Sequence, residues 1–322
     1  MNKLSRRNFL AGAVCAVAAP YAAKAMGSPC VDRDLSVFLS DIHVSGWNVK
    51  KQPTYQNPLF EKTIDQVLAM NPRPARAVVF GDVALWKGRH EDYEASLPGL
   101  KRLTDAGIDL YLTTGNHDHR EVMFRYHPKQ REITPVPGRF VSVVDLGCAD
   151  LFLMDALDEN PEGEGSGNKV DGALDQAQLD WLVKAAAAAK RPYFIGAHQP
   201  AQEIHGCPKD LRAMFEDDPH FAGYIHGHDH RWYTQWFHKG YTKRHVVRSA
   251  CLPSTGWWGT IGFATMKTFA DRAELRLVQN DFFFPKPLAE GEARPREWDE
   301  IMRENEGAMC TFALGDPVAD KA

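Results

Sequence analysis

The chain has 322 residues and a mass of 36.1 kDa, with 44% apolar and 25% charged residues. Those proportions exclude disordered and fibrous classes, and the length allows two domains or one large α/β or sandwich domain. A formal net charge of −4 gives no basic bias toward nucleic acid, and no apolar run reaches the roughly 18 to 20 residues of a membrane span.

The first element is a leader. Ser5-Arg6-Arg7-Asn8-Phe9-Leu10 precedes a short apolar run from Ala11 to Ala19, and Ala23-Lys24-Ala25 offers the small residues that a signal peptidase reads. The arginine pair followed by Phe-Leu resembles a twin-arginine (Tat) signal, which implies the Tat machinery as a partner and a periplasmic or otherwise exported protein. That route carries folded proteins, often with metal already inserted. Removing residues 1–25 removes Lys3, Arg6, Arg7 and Lys24 and no acid, leaving about −8. Of the six cysteines, Cys15 lies in the leader; Cys30, Cys148, Cys207, Cys251 and Cys310 form no C-x-x-C pair, which disfavours a zinc finger or thioredoxin site. Export permits disulfides, Cys207–Cys251 among them, but the pairing is not readable from spacing.

Then comes a strand-and-helix rhythm. Leu35 to Ser40 reads as a strand, Pro58 to Met70 as an amphipathic helix, Ala75 to Phe80 as a strand and Tyr93 to Ala106 as a helix stopped by Gly107. Asp109 to Thr113 is a third strand, Phe140 to Leu146 and Leu151 to Met154 a strand pair, and Leu174 to Lys190 a helix. Tyr193 to Ala197 and Ala222 to Ile225 are strands, followed by Trp232 to Phe237, His245 to Ala250, Phe263 to Thr268 and Ala273 to Val278. The order argues an α/β chain with a mixed sheet system. Asp155 to Gly172 is acidic and glycine-rich and reads as a surface loop; with Ser45 to Asn57 it is a candidate lid. The expected organisation is a leader over 1–25, one domain over 26–280, and a Pro- and charge-rich, loosely packed tail over 281–322 that packs on the domain or extends from it.

Five strands each deliver metal-ligand residue types just past their carboxyl ends: Asp41 and His43, Asp82, Asn116 with His117, His198, and His228 with His230. Such loops are where α/β proteins place their sites. Spacing i, i+2 puts Asp41 and His43, and likewise His228 and His230, on one side of an extended chain. Imidazole with carboxylate and no thiolate suits first-row metals: Fe, Mn, Zn or Co. Seven such ligands exceed one ion but fit two sharing a carboxylate, and Asp82, alone on its loop, is the natural bridge. Gly81, Gly115 and Gly227 allow the tight turns.

The ordered set D-x-H, G-D, G-N-H-D, a lone His and G-H-x-H resembles the calcineurin-like metallophosphoesterase superfamily over residues 35 to about 280. The resemblance implies a two-sheet mixed β-sandwich flanked by helices. It implies two divalent or mixed-valence ions, one on Asp41, His43, Asp82 and His230, the other on Asp82, Asn116, His198 and His228. It further implies a bridging hydroxide that attacks phosphorus, with the metals holding the phosphoryl oxygens, and His117 as the residue that protonates or stabilises the leaving oxygen. Leu85 stands where purple acid phosphatases carry the tyrosine of G-D-x-x-Y, so no purple ferric site is expected. Gly115-Asn116-His117-Asp118-His119-Arg120 looks like the G-N-H-D-x-R form of the cyclic-nucleotide phosphodiesterase-like branch, although Ala197 replaces the first histidine of that branch's His-His-Pro.

The reading is an exported dinuclear phosphohydrolase acting on a small phosphomonoester or phosphodiester. The alternatives are a nucleotide-sugar or lipid pyrophosphohydrolase, and a non-catalytic metal-binding module; a nuclease is disfavoured by charge. Arg120 would clamp a phosphoryl oxygen or pair with Asp118. Trp47, Trp257 and Trp258 would form an aromatic wall or simply pack. His226 is expected to pack, and His119 and His205 to be loop histidines.

Overall fold

The computed structural model describes residues 31–46, 55–163, 165–205, 218–236 and 247–314. Residues 1–25, expected to be a leader, and Cys30, Trp47 and Cys207 lie outside the described residues.

The first half alternates strand and helix: β1 (Val31–Leu39), α1 (Gln56–Ala69), β2 (Arg73–Phe80), α2 (His90–Asp105), β3 (Asp109–Thr113), then α3 (Arg120–Tyr126) and α4 (Pro128–Ile133). A hairpin follows, β4 (Ser142–Asp145) and β5 (Asp150–Leu153), then β6 (Gly172–Ala173), α5 (Gln176–Ala188), β7 (Tyr193–Gly196), β8 (Ile204–His205) and β9 (Phe221–His226). The chain ends in β10 (Tyr233–Trp236), β11 (Arg248–Cys251), β12 (Gly259–Thr268), β13 (Arg272–Phe283), α6 (Arg296–Glu304) and β14 (Met309–Ala313).

Two six-stranded sheets result, ordered β14-β13-β12-β1-β2-β3 and β10-β11-β9-β7-β5-β4. Both are mixed. β1, β2 and β3 run parallel, and so do β5, β7, β9 and β11, while the outer partners are antiparallel. Strand periodicity builds the layers. Phe38, Val78 and Phe80 point inward onto Leu151, Leu153, Phe194 and Ile225 of the facing sheet. Val37, Leu39, Ala77 and Val79 point outward under Phe60 and Ile64 of α1 and Tyr93, Leu100 and Leu103 of α2. On the other flank Phe152, Tyr193 and Ile195 meet Leu179 and Leu182 of α5. Helix α5 starts where Asp175 accepts the Gln178 N–H at 2.9 Å. The expected sandwich, two mixed sheets flanked by helices, is the observed fold.

Two segments differ from the sequence reading. Residues 281–314 are packed on the domain, not loose: β13 runs to Phe283, α6 packs Trp298 beneath Ile261, Phe282 and Phe283, and β14 forms the edge of the first sheet with Cys310 and Phe312 buried. Their prolines and charges lie mainly in the connections, and these obscure the alternation of the short edge strand. α3 and α4, with seven and six residues, are too short to show a helical period. Among the described residues no helix is long and apolar enough to cross a membrane.

Candidate metal centre

The carboxyl ends of β1, β2, β3, β7 and β9 converge on one rim of the sandwich, and each hands over its expected residues there. The backbone is bent to do so. The described non-glycine residues with positive φ are Asp41, His43, Asp82, His228 and His230, at 49° to 73°. Each left-handed residue costs on the order of 1–3 kcal/mol and persists only where the surroundings enforce it. Hydrogen bonds enforce it here: His43 N–H to Asp82 O at 2.9 Å, Gly227 N–H to His198 O at 3.0 Å and Gly256 N–H to Asp41 O at 3.1 Å. Gly115 is required by space, because a Cβ there would sit 2.1 Å from Asp82 Oδ1. At Gly227 a Cβ would lie 1.8 Å from Ser40 Oγ, whose hydroxyl donates to Asp41 Oδ2 at 2.6 Å.

The donor atoms fall into two groups that share one residue. Asp41, His43, Asp82 and His230 bring one ligand atom each to within 4.8 Å of one another, and so do Asp82, His198 and His228. In the first, His230 Nε2 lies 3.1 Å from Asp41 Oδ1 and 3.3 Å from His43 Nε2, and His43 Nε2 lies 3.7 Å from Asp82 Oδ2. In the second, His198 Nε2 lies 3.1 Å from Asp82 Oδ2, 3.2 Å from His228 Nδ1 and 3.2 Å from Asn116 Oδ1. All seven expected ligands are thus brought together, with Asp82 common to both groups.

The residues fit metal ions. Asp41 Oδ1 is buried without a hydrogen-bond partner, and a carboxylate oxygen orphaned among imidazoles is costly unless a cation completes it. Burial works against charge on Asp41 and Asp82, yet the imidazoles of His230 and His198 around the first, and of His198 and His117 around the second, hold both carboxyls below the usual range. Burial keeps His43 well below the usual histidine value. Burial also opposes a proton on His198, but Asp82 and Asp41 override it and raise its pKa to about 10. In chelator-treated protein His198 therefore carries a proton that an ion must displace. Apparent affinity for the ion that His198 would hold should rise about tenfold per pH unit from pH 6 to 9, with one proton released as that ion binds, read by pH-stat titration. Affinity flat in pH contradicts the assignment.

Second partners set the ring orientations. The His198 Nδ1–H donates to Phe80 O at 2.7 Å, leaving Nε2 for the cluster. The His117 Nδ1–H donates to Leu85 O at 2.8 Å, and Nε2 stands 4.0 Å from Asp82 Oδ2. The group that orients His117 is thus a backbone carbonyl, not a carboxylate. Asp118, fully buried, accepts from the N–H groups of Val83, Ala84 and Gly115 at 2.9 to 3.3 Å and from Tyr93 Oη at 3.1 Å. It ties the Asp82 loop to the Asn116 loop. Asp118→Ala strands those donors and should cost about 2–4 kcal/mol, lowering the melting temperature and weakening metal retention together; an unchanged melting curve contradicts the bracing role.

The remaining expected residues are divided. Trp257 packs 4.3 Å from His43 and 5.4 Å from His117, and Trp258 lies 4.3 Å from His230 (ring centroids), so both border the centre. Arg120 does not. Its guanidinium donates to Asp155, Glu159 and Leu157 O at 2.6 to 3.0 Å, a buried pairing that spends its donors on protein and leaves Asp118 to the backbone. His226 packs with its Nδ1–H on Gly227 O at 2.9 Å, His119 faces Glu159 at 3.2 Å, and exposed His205 faces Asp171 at 2.9 Å. The loop after Asp155, expected as a lid, is fastened: the Asn168 amide donates to Asn116 O at 3.0 Å and Asp118 O at 2.7 Å. Cys148, Cys251 and Cys310 are free thiols. Two residues escaped sequence reading. Trp86 stands edge-on to His117 at 5.4 Å, and Glu203 approaches His228 Nε2 at 3.5 Å.

The family model for calcineurin-like phosphoesterases matches residues 36–232. The chain belongs to that family, which implies a dinuclear divalent metal site, and its buried His and Asp groups could hold the ions. No curated protein is a significant match. Among solved structures, a purple acid phosphatase from yellow lupin (Lupinus luteus) seeds aligns with a TM-score of 0.54 at 12% identity, over 76% of this chain and 51% of that one. The chain thus spans about half the length of that phosphatase, and the likeness concerns the fold. Vacuolar Protein Sorting 29 from Cryptosporidium parvum aligns at 0.39 and 12% identity over 87% and 98% of the two chains. The sulfate thiohydrolase SoxB of Thermus thermophilus aligns at 0.44 and 13% over 86% and 60%.

Proposed function

We propose that this chain is an exported phosphohydrolase that cleaves a phosphomonoester or phosphodiester, using two first-row metal ions. The observation that carries the reading is Asp82, whose carboxylate belongs to both donor groups. One ion would be held by Asp41, His43, Asp82 and His230, the other by Asp82, Asn116, His198 and His228. Bound there, the ions supply Lewis acidity to phosphoryl oxygens and acidify coordinated water. The chain's own residues do the rest. His117, aimed by Leu85 O, presents Nε2 to the cleft and delivers a proton to the leaving oxygen. Trp257 and Trp258 close the first ligand group from water on one side.

Glu203 stands 3.5 Å from His228 Nε2. Burial, with Asp229 and Asp171 nearby, raises the pKa of Glu203. A carboxyl there supplies no cation for a second phosphate, which favours a simple ester over a pyrophosphate. The net charge disfavours polynucleotides. The twin arginines support export, which the intact mass of exported protein tests: loss of residues 1–25 supports it and a full-length mass overturns it.

The activity test uses manganese-loaded protein with p-nitrophenyl phosphate and bis(p-nitrophenyl) phosphate, and Asp82→Ala as blank. Diester turnover above monoester places the protein with phosphodiesterases, and the reverse with phosphatases. No turnover above the blank with Mn²⁺, Zn²⁺ or Fe²⁺ overturns the reading.

A further inference from the structure

The leaving-group side of the metal centre is walled by Trp257 and by Trp86, and the hydrolytic chemistry does not use Trp86. Trp86 belongs to the loop that follows Asp82, one residue beyond Leu85, whose carbonyl holds His117. Its ring lies 5.4 Å from His117 at 81° and 5.9 Å from Trp257 at 57°, so the two indoles form an open V beside the ring that faces the leaving oxygen.

The two members differ in how they are held. Trp257 is anchored through its main chain: its backbone N–H donates to Ser254 Oγ at 2.9 Å, and that hydroxyl donates to Asp41 O at 3.1 Å. Gly256 before it presses on the ligand loop so closely that a Cβ would meet Ile42 O at 1.9 Å. Trp86, by contrast, is 58% exposed. A tryptophan held against a catalytic histidine with most of its surface in water is an uncovered apolar platform rather than core.

We infer that Trp86 and Trp257 form a binding subsite for a planar aromatic ring carried by the leaving group, so that aryl or nucleobase-bearing phosphoesters are preferred. The inference rests on the phosphohydrolase reading and names the substrate class of that site. Two indoles 5.9 Å apart leave no room for a ring between them, so the ligand stacks on the open side of Trp86, a geometry available to a flat ring. A flexible acyl chain gains little from one exposed ring and needs an enclosed apolar groove. Base-on-aromatic stacking is strong enough for about tenfold discrimination.

The test compares benzylphosphonate with (cyclohexylmethyl)phosphonate, two non-hydrolysable probes of similar size of which one has a planar ring. Binding to manganese-loaded full chain is read by titration calorimetry, alongside kcat/KM for the matching phosphate esters and their ethyl diesters. The wild type should favour the benzyl member about tenfold, Trp86→Ala should bring the ratio to within about twofold, and Trp86→Phe should keep most of it. Melting curves confirm that the variants fold. Equal preference in wild type, or a ratio that survives Trp86→Ala, overturns the subsite and leaves the hydrolase reading standing. If Trp86→Ala weakens both probes equally, the site reads apolarity and not planarity, and the aromatic class is wrong. If neither probe binds and no ester turns over, both readings fall.

Discussion

Asp82→Ala should lower turnover by about 10³-fold or more and reduce bound metal from two ions per chain to one or none, as read by steady-state kinetics and elemental analysis on the same sample. Three contacts meet at this side chain. Oδ2 lies 3.7 Å from His43 Nε2 and 3.1 Å from His198 Nε2, so its removal takes a donor from each group. Oδ1 accepts the His117 N–H at 2.8 Å, so the backbone that carries the proton donor also loses its tether. Asn116→Ala is the matched control: its amide oxygen reaches only the His198 side, at 3.2 Å, and its loss should deplete one ion while the other stays. Asp82→Asn separates charge from geometry, since an amide oxygen can keep the His117 hydrogen bond but supplies a weaker donor to the ions. An Asp82→Ala protein that keeps two ions removes the basis for a shared carboxylate.

The parts of this site that were legible in the sequence are those fixed by residue type and order. Asp41, His43, Asp82, Asn116, His198, His228 and His230 each follow an apolar strand, and a parallel strand delivers its next residues to one rim, so order alone groups them. The α/β sandwich was legible for the same reason: Val37-Phe38-Leu39 and Val78-Val79-Phe80 are continuous apolar runs because both faces of their sheet are covered. What stayed hidden depends on contacts between distant positions. That a carbonyl, Leu85 O, and not a carboxylate aims His117 leaves no residue-type signal. Arg120 sits inside a phosphate-site motif and still turns away, because Asp155 and Glu159, some 35 and 39 positions later, claim its guanidinium. Trp86 and Glu203 each lie a few residues beyond a ligand, near enough to suspect but with no spacing rule to select them. β14 was lost because pairing with β13, rather than its own composition, makes it a strand.

His117→Ala should leave both ions in place and slow the enzyme by an amount that depends on the leaving group: about 10²- to 10³-fold for an alkyl ester, about tenfold or less for a p-nitrophenyl ester. The geometry requires this asymmetry. His117 lies outside both donor groups, so its loss removes no ligand. Its Nδ1–H is committed to Leu85 O, which leaves Nε2 as the one ring atom able to exchange a proton with the cleft. A p-nitrophenolate departs readily without a proton, whereas an alkoxide does not, so only the second reaction needs what Nε2 supplies. The slope of log kcat against leaving-group pKa should therefore steepen in the variant. A glutamine variant offers a check on orientation, because its amide can donate a hydrogen bond to the leaving oxygen but cannot transfer a proton; it should recover part of the alkyl rate and little of the slope. Parallel slowing of both ester classes would instead mean that His117 holds the substrate or the Asp82 loop in place, and the proton would have to come from coordinated water.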